Sequence, residues 1–181
     1  MKVLVISGTL VGSKTLVATE YLLKQLKRQS PEMEIELVNL KEFKLDFCDG
    51  RQLEKYNGDT RLVIKQIENA DGYVLGTTIL HGSIPGALKN LFDLIPFPAL
   101  EGKPIALVAN GGNPEHSQAI EKHLRPMLHY LKMKLLPHDV FLTSSDFNEE
   151  NEIHQPERQE QLMLLARDFK ELCNQTLIEQ N

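Results

Sequence analysis

KVLVISGTLVGSKT, residues 2–15, decides how this chain folds. Its first six residues form a nearly continuous β-branched and aliphatic run, the pattern of a strand buried on both faces. Gly8 and Gly12 then give the backbone room to turn. Over residues 15–29 the apolar positions Leu16, Val17, Leu22, Leu23 and Leu26 recur at helical spacing. A doubly buried strand that passes through a small-residue loop into an amphipathic helix is the building unit of a parallel sheet covered by helices.

The rest of the chain repeats that unit. Ser30-Pro31 stops the first helix. EIELVNL (34–40) alternates like a strand with one more exposed face. Residues 41–57 read as a loop with a short helix. Further strands are expected at GYVLGT (72–77), PIALVA (104–109) and residues 135–143, with helices at 60–70, 85–95, 117–132 and 155–178. Pro126 should kink or break the fourth helix. Pro137 puts the fifth strand at an edge. Strict strand–helix alternation forces parallel pairing with helices on both faces. The expected fold is therefore flavodoxin-like: α/β, a doubly wound five-stranded parallel sheet in the order 2-1-3-4-5. No repeat, linker or low-complexity segment divides the chain, so residues 1–181 are expected to form a single domain.

Composition removes several function classes. The chain has 181 residues, 41% hydrophobic and 25% charged, within the ordinary globular range. The net charge of −5 and pI near 5.7 argue against a nucleic-acid binder, which needs a concentrated basic surface. No block of five like charges appears. No apolar run approaches the ~20 residues that span a bilayer, so no membrane partner is expected. The N-terminal apolar run is too short for a signal-peptide core, and the expected location is cytoplasmic. Two cysteines, Cys48 and Cys173, offer neither a disulfide framework nor a zinc pattern. His116 and His123 lie seven apart without a third ligand at fixed spacing, so no metal is expected.

In an open parallel sheet, ligands bind beyond the carboxyl ends of the strands. Here those ends are SGTLVGSKT (7–15), TTILHGSIPG (77–86) and NGGNPEHS (110–117). All three are rich in Gly, Ser, Thr and Asn. In the first, Thr9, Ser13 and Thr15 supply hydroxyls, Lys14 adds a cation, and the start of the following helix favours an anion. Phosphate is the expected guest. A simpler reading is that Ser13 or Thr15 only caps the helix. The loop nearly matches the phosphate-binding pattern G-x-x-x-x-G-K-[ST], but Ser13 stands where the second glycine belongs. Neither of the later hydrophobic strands ends in the magnesium-holding Asp of that class. The dinucleotide fingerprint G-x-G-x-x-G is absent, and strand two ends in Asn39-Leu40 without its acid.

GALKNLFDLIP (86–96), preceded by TTILHGSIP (77–85), resembles the flavin-contacting loop and helix of the NADPH-dependent FMN reductase family. There the stretch commonly reads S/T-P-x-Y and then S-G-A-L-K-N-x-L-D. Gly111-Gly112 through His116 resembles the G-G-x-x-x-H loop of the alkanesulfonate-system FMN reductases. ALEGKPIALVANGG (99–112) and LRPMLHYLKMKLLPHDVF (124–141) continue a likeness that covers about residues 2–145. The resemblance implies FMN as cofactor and NADPH or NADH as hydride donor. It places the phosphate at Thr9, Val11, Ser13, Lys14 and Thr15. It runs Thr78, Ile79, Leu80 and His81 along the isoalloxazine edge, and sets Asn110, Gly111 and Gly112 near the other edge with His116 close by. It implies hydride transfer to FMN and on to flavin, quinone or azo acceptors, no catalytic acid–base pair, and a homodimer or homotetramer. Four positions depart from the family: Val11 for Arg, Thr78 for Pro, Leu80 for Tyr, and Ile84 for an aromatic. Two alternatives therefore stay open. One is a non-catalytic FMN-binding flavodoxin-like module. The other, resting on Gly8 with Lys14-Thr15, is a P-loop-like nucleotide enzyme.

Overall fold

The computed structural model describes residues 1–179. Strand β1 (Lys2–Ser7) is an interior strand, one in from the edge. It pairs in parallel with β2 (Glu34–Asn39), from Lys2 opposite Glu34 to Ser7 opposite Asn39. On its other side it pairs with β3 (Gly72–Thr78), which pairs in turn with β4 (Pro104–Asn110). The order β2-β1-β3-β4-β5 is the expected doubly wound one.

The fifth strand departs from expectation. Instead of one strand over 135–143 there are two short pieces on the outer edge of β4. β5 (Lys134–Leu135) pairs with Pro104 and Ile105, and β6 (Val140–Leu142) pairs with Val108, Ala109 and Asn110. Pro137 lies in the gap and has no N–H to offer a ladder. The buried Arg125 guanidinium fills that gap: Nη1 donates to the Leu136 carbonyl at 3.0 Å and Nη2 meets Asp139 at 3.2 Å.

Period-two alternation splits each strand between two cores. Val3, Val5, Val74 and Val108 face helices α1 (Lys14–Gln29) and α5 (Pro156–Glu179). Leu4, Ile6, Leu75 and Leu107 face α2 (Gly58–Glu68), α3 (Gly86–Leu94) and α4 (Arg125–Tyr130). The disturbance expected at Pro126 has a definite form. The helical run over residues 118–130 is continuous but carries a π-helical turn, Ile120–Leu124, ahead of α4, and Arg125 N–H reaches back to the Ile120 carbonyl. The wide turn absorbs the hydrogen bond that a proline cannot make. Residues 41–57 carry two 3₁₀ turns, Leu40–Glu42 and Leu53–Lys55. Asn90 of α3 ties this segment down, accepting from Cys48 N–H (2.8 Å) and donating to Asp46 O (3.0 Å). Among the described residues no helix is long and apolar enough to cross a membrane.

Candidate functional site

The loops after β1, β3 and β4 meet at one rim of the sheet because their strands are neighbours and all run the same way. One residue joins them. The Thr15 hydroxyl, at the start of α1, donates to Asn110 Oδ1 at 2.6 Å. Asn110 Nδ2 lies 3.4 Å from Thr78 Oγ1, and the Asn110 carbonyl accepts from the Thr78 hydroxyl (3.3 Å) and Ile79 N–H (2.9 Å). The end of β4 is thereby bonded to the first helix and to the second loop.

At the first loop, α1 begins without a side-chain cap at Ser13, and no acidic residue stands in its first turn. The simple capping reading of Ser13 therefore does not hold here. The first N–H groups of a helix have no intrahelical partner, and the dipole there favours negative charge. The expected hydroxyls are placed unevenly. Thr9 is buried and bonded within its own loop to Val11 N–H (3.2 Å), while the Val11 side chain is exposed. Thr15 is committed to Asn110. Ser13 Oγ accepts from Asn151 Nδ2 at 2.9 Å, which leaves its own O–H able to donate. The Lys14 ammonium lies 5.4 Å from the centre of the Phe147 ring.

The second loop is a miniature hairpin. Leu80 and Ser83 exchange backbone hydrogen bonds at 2.9 and 3.0 Å around His81 and Gly82, both with positive φ (49° and 76°). Two such residues in a two-residue turn follow the type I′ pattern. The amides of Ile79 and Leu80 are thus engaged, and the hairpin tip presents His81 and Gly82. Ser83 Oγ lies 2.8 Å from His123 Nδ1 in the π-helical turn.

The third loop crowds around Gly111. A Cβ there would lie 2.9 Å from both His116 Nδ1 and Phe141 Cζ, so only glycine fits without displacement. Gly112 is exposed and open. His116 Nδ1 is buried without a hydrogen-bond partner, as is Ser7 Oγ at the end of β1. A cleft of about 260 Å³ lies between Gly82 of the second loop and Glu115 and His116 of the third. Among the described residues no group of three His, Cys, Asp or Glu could hold a metal ion.

This rim fits a phosphate-tailed flat ring by its own chemistry. It combines an uncapped, acid-free helix start, a cleft between two loop tips, and unsatisfied polar atoms at its base. The model of the NADPH-dependent FMN reductase family matches residues 1–148. The chain belongs to this family. Among its relatives, an NAD(P)H-dependent FAD/FMN reductase of Geobacillus thermodenitrificans is 48% identical over 166 residues, covering 92% of this chain and 90% of the relative. The NADH-dependent FMN reductase SfnF of Pseudomonas fluorescens is 33% identical over 148 residues, 81% of this chain and 79% of its own length. The solved apo structure of the NADH:FMN oxidoreductase EMOB superposes with a TM-score of 0.78 at 26% identity, covering 93% of this chain and 87% of that one.

For a member of the FMN reductase family, the neighbours of the rim hold several surprises. Asn151 and Phe147 come from the segment after β6, far from any loop the strand order singles out. Lys41 Nζ donates to the Gly12 carbonyl across the β1–β2 edge. The His81-Gly82 turn lies within the small-residue loop 77–86 that the sequence marks. The links to Asn151 and Lys41 had no sequence signal.

Proposed function

We propose that this chain is a flavin reductase that passes hydride from NAD(P)H to FMN at the carboxyl rim of its sheet. The observation that carries the reading is the joining of three loops by Asn110 around an uncapped helix start, in a chain of this family. When bound, the flavin supplies the hydride-accepting ring, and that redox chemistry is its own. The chain's part is to hold and orient. The first-turn N–H groups of α1, the Ser13 hydroxyl and Lys14 hold the phosphate. The tip of the second loop and the exposed backbone at Gly112 flank the ring. Asn110 keeps the two seats in register. The buried His116 Nδ1 supplies a donor or acceptor at the base of the third loop.

Because Thr9 and Thr15 are already bonded within the protein, the phosphate depends on backbone donors more than on hydroxyls. FMN on this reading exchanges as a substrate, with flavin, quinone or azo compounds as final acceptors. Leu10, Val11, Phe47 and Leu80 are exposed. We place a homodimer or homotetramer contact on these side chains. We place the chain in the cytoplasm as a single domain.

The test is direct. Adding the protein to FMN should quench flavin fluorescence, and the mixture should oxidise NADPH or NADH in air. Absence of FMN binding at high micromolar protein would overturn the reading. Saturable FMN binding with nicotinamide oxidation no faster than the blank would leave only a flavodoxin-like carrier.

A further inference from the structure

The 3₁₀ turn Pro114–Ser117 is a wall between two cavities. On one side, Glu115, His116 and Gln118 face the cleft of about 260 Å³ that Gly82 borders from the second loop. On the other side, Pro114 and Ser117 border a larger cavity of about 790 Å³. Strand β6 lines it with Val140 and Phe141, and α5 lines it with Arg158, Gln161 and Leu164. Small-molecule sites commonly measure about 300–1,000 Å³ and combine apolar walls with a few polar groups. On the reading above the smaller cleft takes the flavin ring, so the larger cavity, one thin wall away, is a separate seat. A pyridine dinucleotide has two flat heads joined by a bridge, and its nicotinamide head must reach that ring at the rim.

We propose that the larger cavity seats the adenosine half of the hydride donor, and that it takes the 2′-hydroxyl form, NADH, in preference to the 2′-phosphate form. This inference rests on the reductase reading above and names its donor. Pro114, Phe141 and Leu164 offer apolar surface to a purine face. Ser117 and Gln161 offer hydroxyl and amide groups to its edge and to the ribose.

The charges decide between the two donors. Asp139, Asp146 and Asp168 line the cavity, and each already meets a cation, Arg125, Arg158 and Arg167 in turn, at 3.2, 3.2 and 2.9 Å. Arg158 Nε meets Asp146 at 3.2 Å and its Nη1 donates to Gln161 at 2.8 Å. His138 Nε2 lies 3.3 Å from Asp168. A phosphate monoester brings about −1.5 to −2 charges at neutral pH. It would find no lining cation free of a carboxylate and would have to pull Arg158 from Asp146. A ribose 2′-hydroxyl can instead donate to one of those carboxylates at no charge cost. The bridge has its own cation: Lys122 borders the smaller cleft, bonded to neutral Gln118 at 2.8 Å.

The experiment uses the full chain with FMN present. 5′-AMP and 2′,5′-ADP, which mimic the adenosine ends of the two donors, are titrated in and followed by backbone amide NMR shifts. The expected result is that 5′-AMP shifts Ser117, Phe141, Gln161 and Leu164 and binds at least fivefold more tightly than 2′,5′-ADP. Leu164→Trp fills the cavity from the half-exposed surface of α5. It should abolish the AMP shifts and raise the KM for NADH at least fivefold, with FMN affinity unchanged. AMP shifts that map elsewhere, tighter binding of 2′,5′-ADP, or an unaltered KM in Leu164→Trp would each overturn the inference. Failure of the wild-type chain to oxidise either NADH or NADPH with FMN would strike the reductase reading itself, whereas oxidation of NADPH alone would overturn only this inference.

Discussion

The two ends of the sheet are built on opposite rules. At the amino end, polar groups pair with one another. Tyr73 OH donates to the Ile67 carbonyl at 2.7 Å, and Lys103 Nζ to the Glu68 carbonyl at 2.9 Å. Lys2 and Asp71 are linked twice: Lys2 N–H donates to the Asp71 carboxylate and Asp71 N–H to the Lys2 carbonyl, both at 2.7 Å. Gly102 N–H donates to the Lys132 carbonyl at 2.9 Å and Lys134 N–H to the Lys103 carbonyl at 3.0 Å, and Phe97 packs edge-on against Tyr130. At the carboxyl end, α1 starts without a cap, His81 holds a positive φ, and Leu10 and Val11 are 53% and 49% exposed. Ser7 Oγ and His116 Nδ1 are buried there without partners, as are Ser30 Oγ and Gln66 Oε1 at the helix ends that lead into β2 and β3. Such groups cost stability that the paired ones must offset.

The largest expected effect comes from breaking the sealed end. Tyr73 is 1% exposed, and Tyr73→Ala should cost about 3–5 kcal/mol, as truncation of buried aromatics does. A urea titration measures that loss, while the FMN affinity of the folded fraction should hold. An equal fall in affinity would mean the two ends are coupled.

Gly111→Ala strikes the open end. Its Cβ would press on His116 and Phe141 at 2.9 Å. Overpacking of this kind costs about 1–3 kcal/mol. The Tm should fall by less than in Tyr73→Ala, but the Kd for FMN should rise at least tenfold in a fluorescence titration.

Asn110→Ala is milder, because it removes the partner of the Thr15 hydroxyl yet leaves the carbonyl that holds Ile79. Losing one such bond is worth about 1 kcal/mol, or about fivefold in Kd. Asn110→Asp restores the acceptor for Thr15 but puts an anion at the rim. It should match the wild type in urea while still binding FMN more weakly. If Asp and Ala behave alike in both assays, Asn110 does not hold the loops in register.

The smallest effect is a contrast in thiol reactivity. Cys173, fully buried in α5, has its thiol pushed up to about 12 by burial. The thiolate is the reactive form, so Cys173 should resist alkylation from pH 7 to 9 while the half-buried Cys48 labels. The folded state holds this proton more tightly than the unfolded chain does. Its stabilising contribution is therefore full below about pH 9 and is lost as pH rises from there toward 12. Labelling of both thiols at pH 8 without unfolding would remove the distinction.

Much of this was legible in the residues. Buried parallel strands need continuous apolar runs, and KVLVIS, GYVLGT and PIALVA show them plainly. Pro126 announced a disturbed helix and Pro137 the edge position of the fifth strand, but not that strand's interruption. How the gaps are filled was not legible. Arg125 is 11 residues from Leu136, and no local pattern links them. The hydroxyls of the first loop were recognisable as donors, but their partners were not. Thr15 meets Asn110 across 95 residues of chain, and Ser13 meets Asn151 across 138.

The sequence by itself determined the alternation of strands and helices, the strand order, and the loops at the rim proposed for a phosphate-tailed ligand. Those follow from periodicity and turn chemistry, which act over a few residues. Only the tertiary structure decided which donors at that rim stay free, that Asn110 binds three loops together, and that the turn at Pro114–Ser117 divides two cavities. Hydrogen-bond partnership and cavity shape depend on distances between segments far apart in the chain, and those distances exist only once the sheet has assembled.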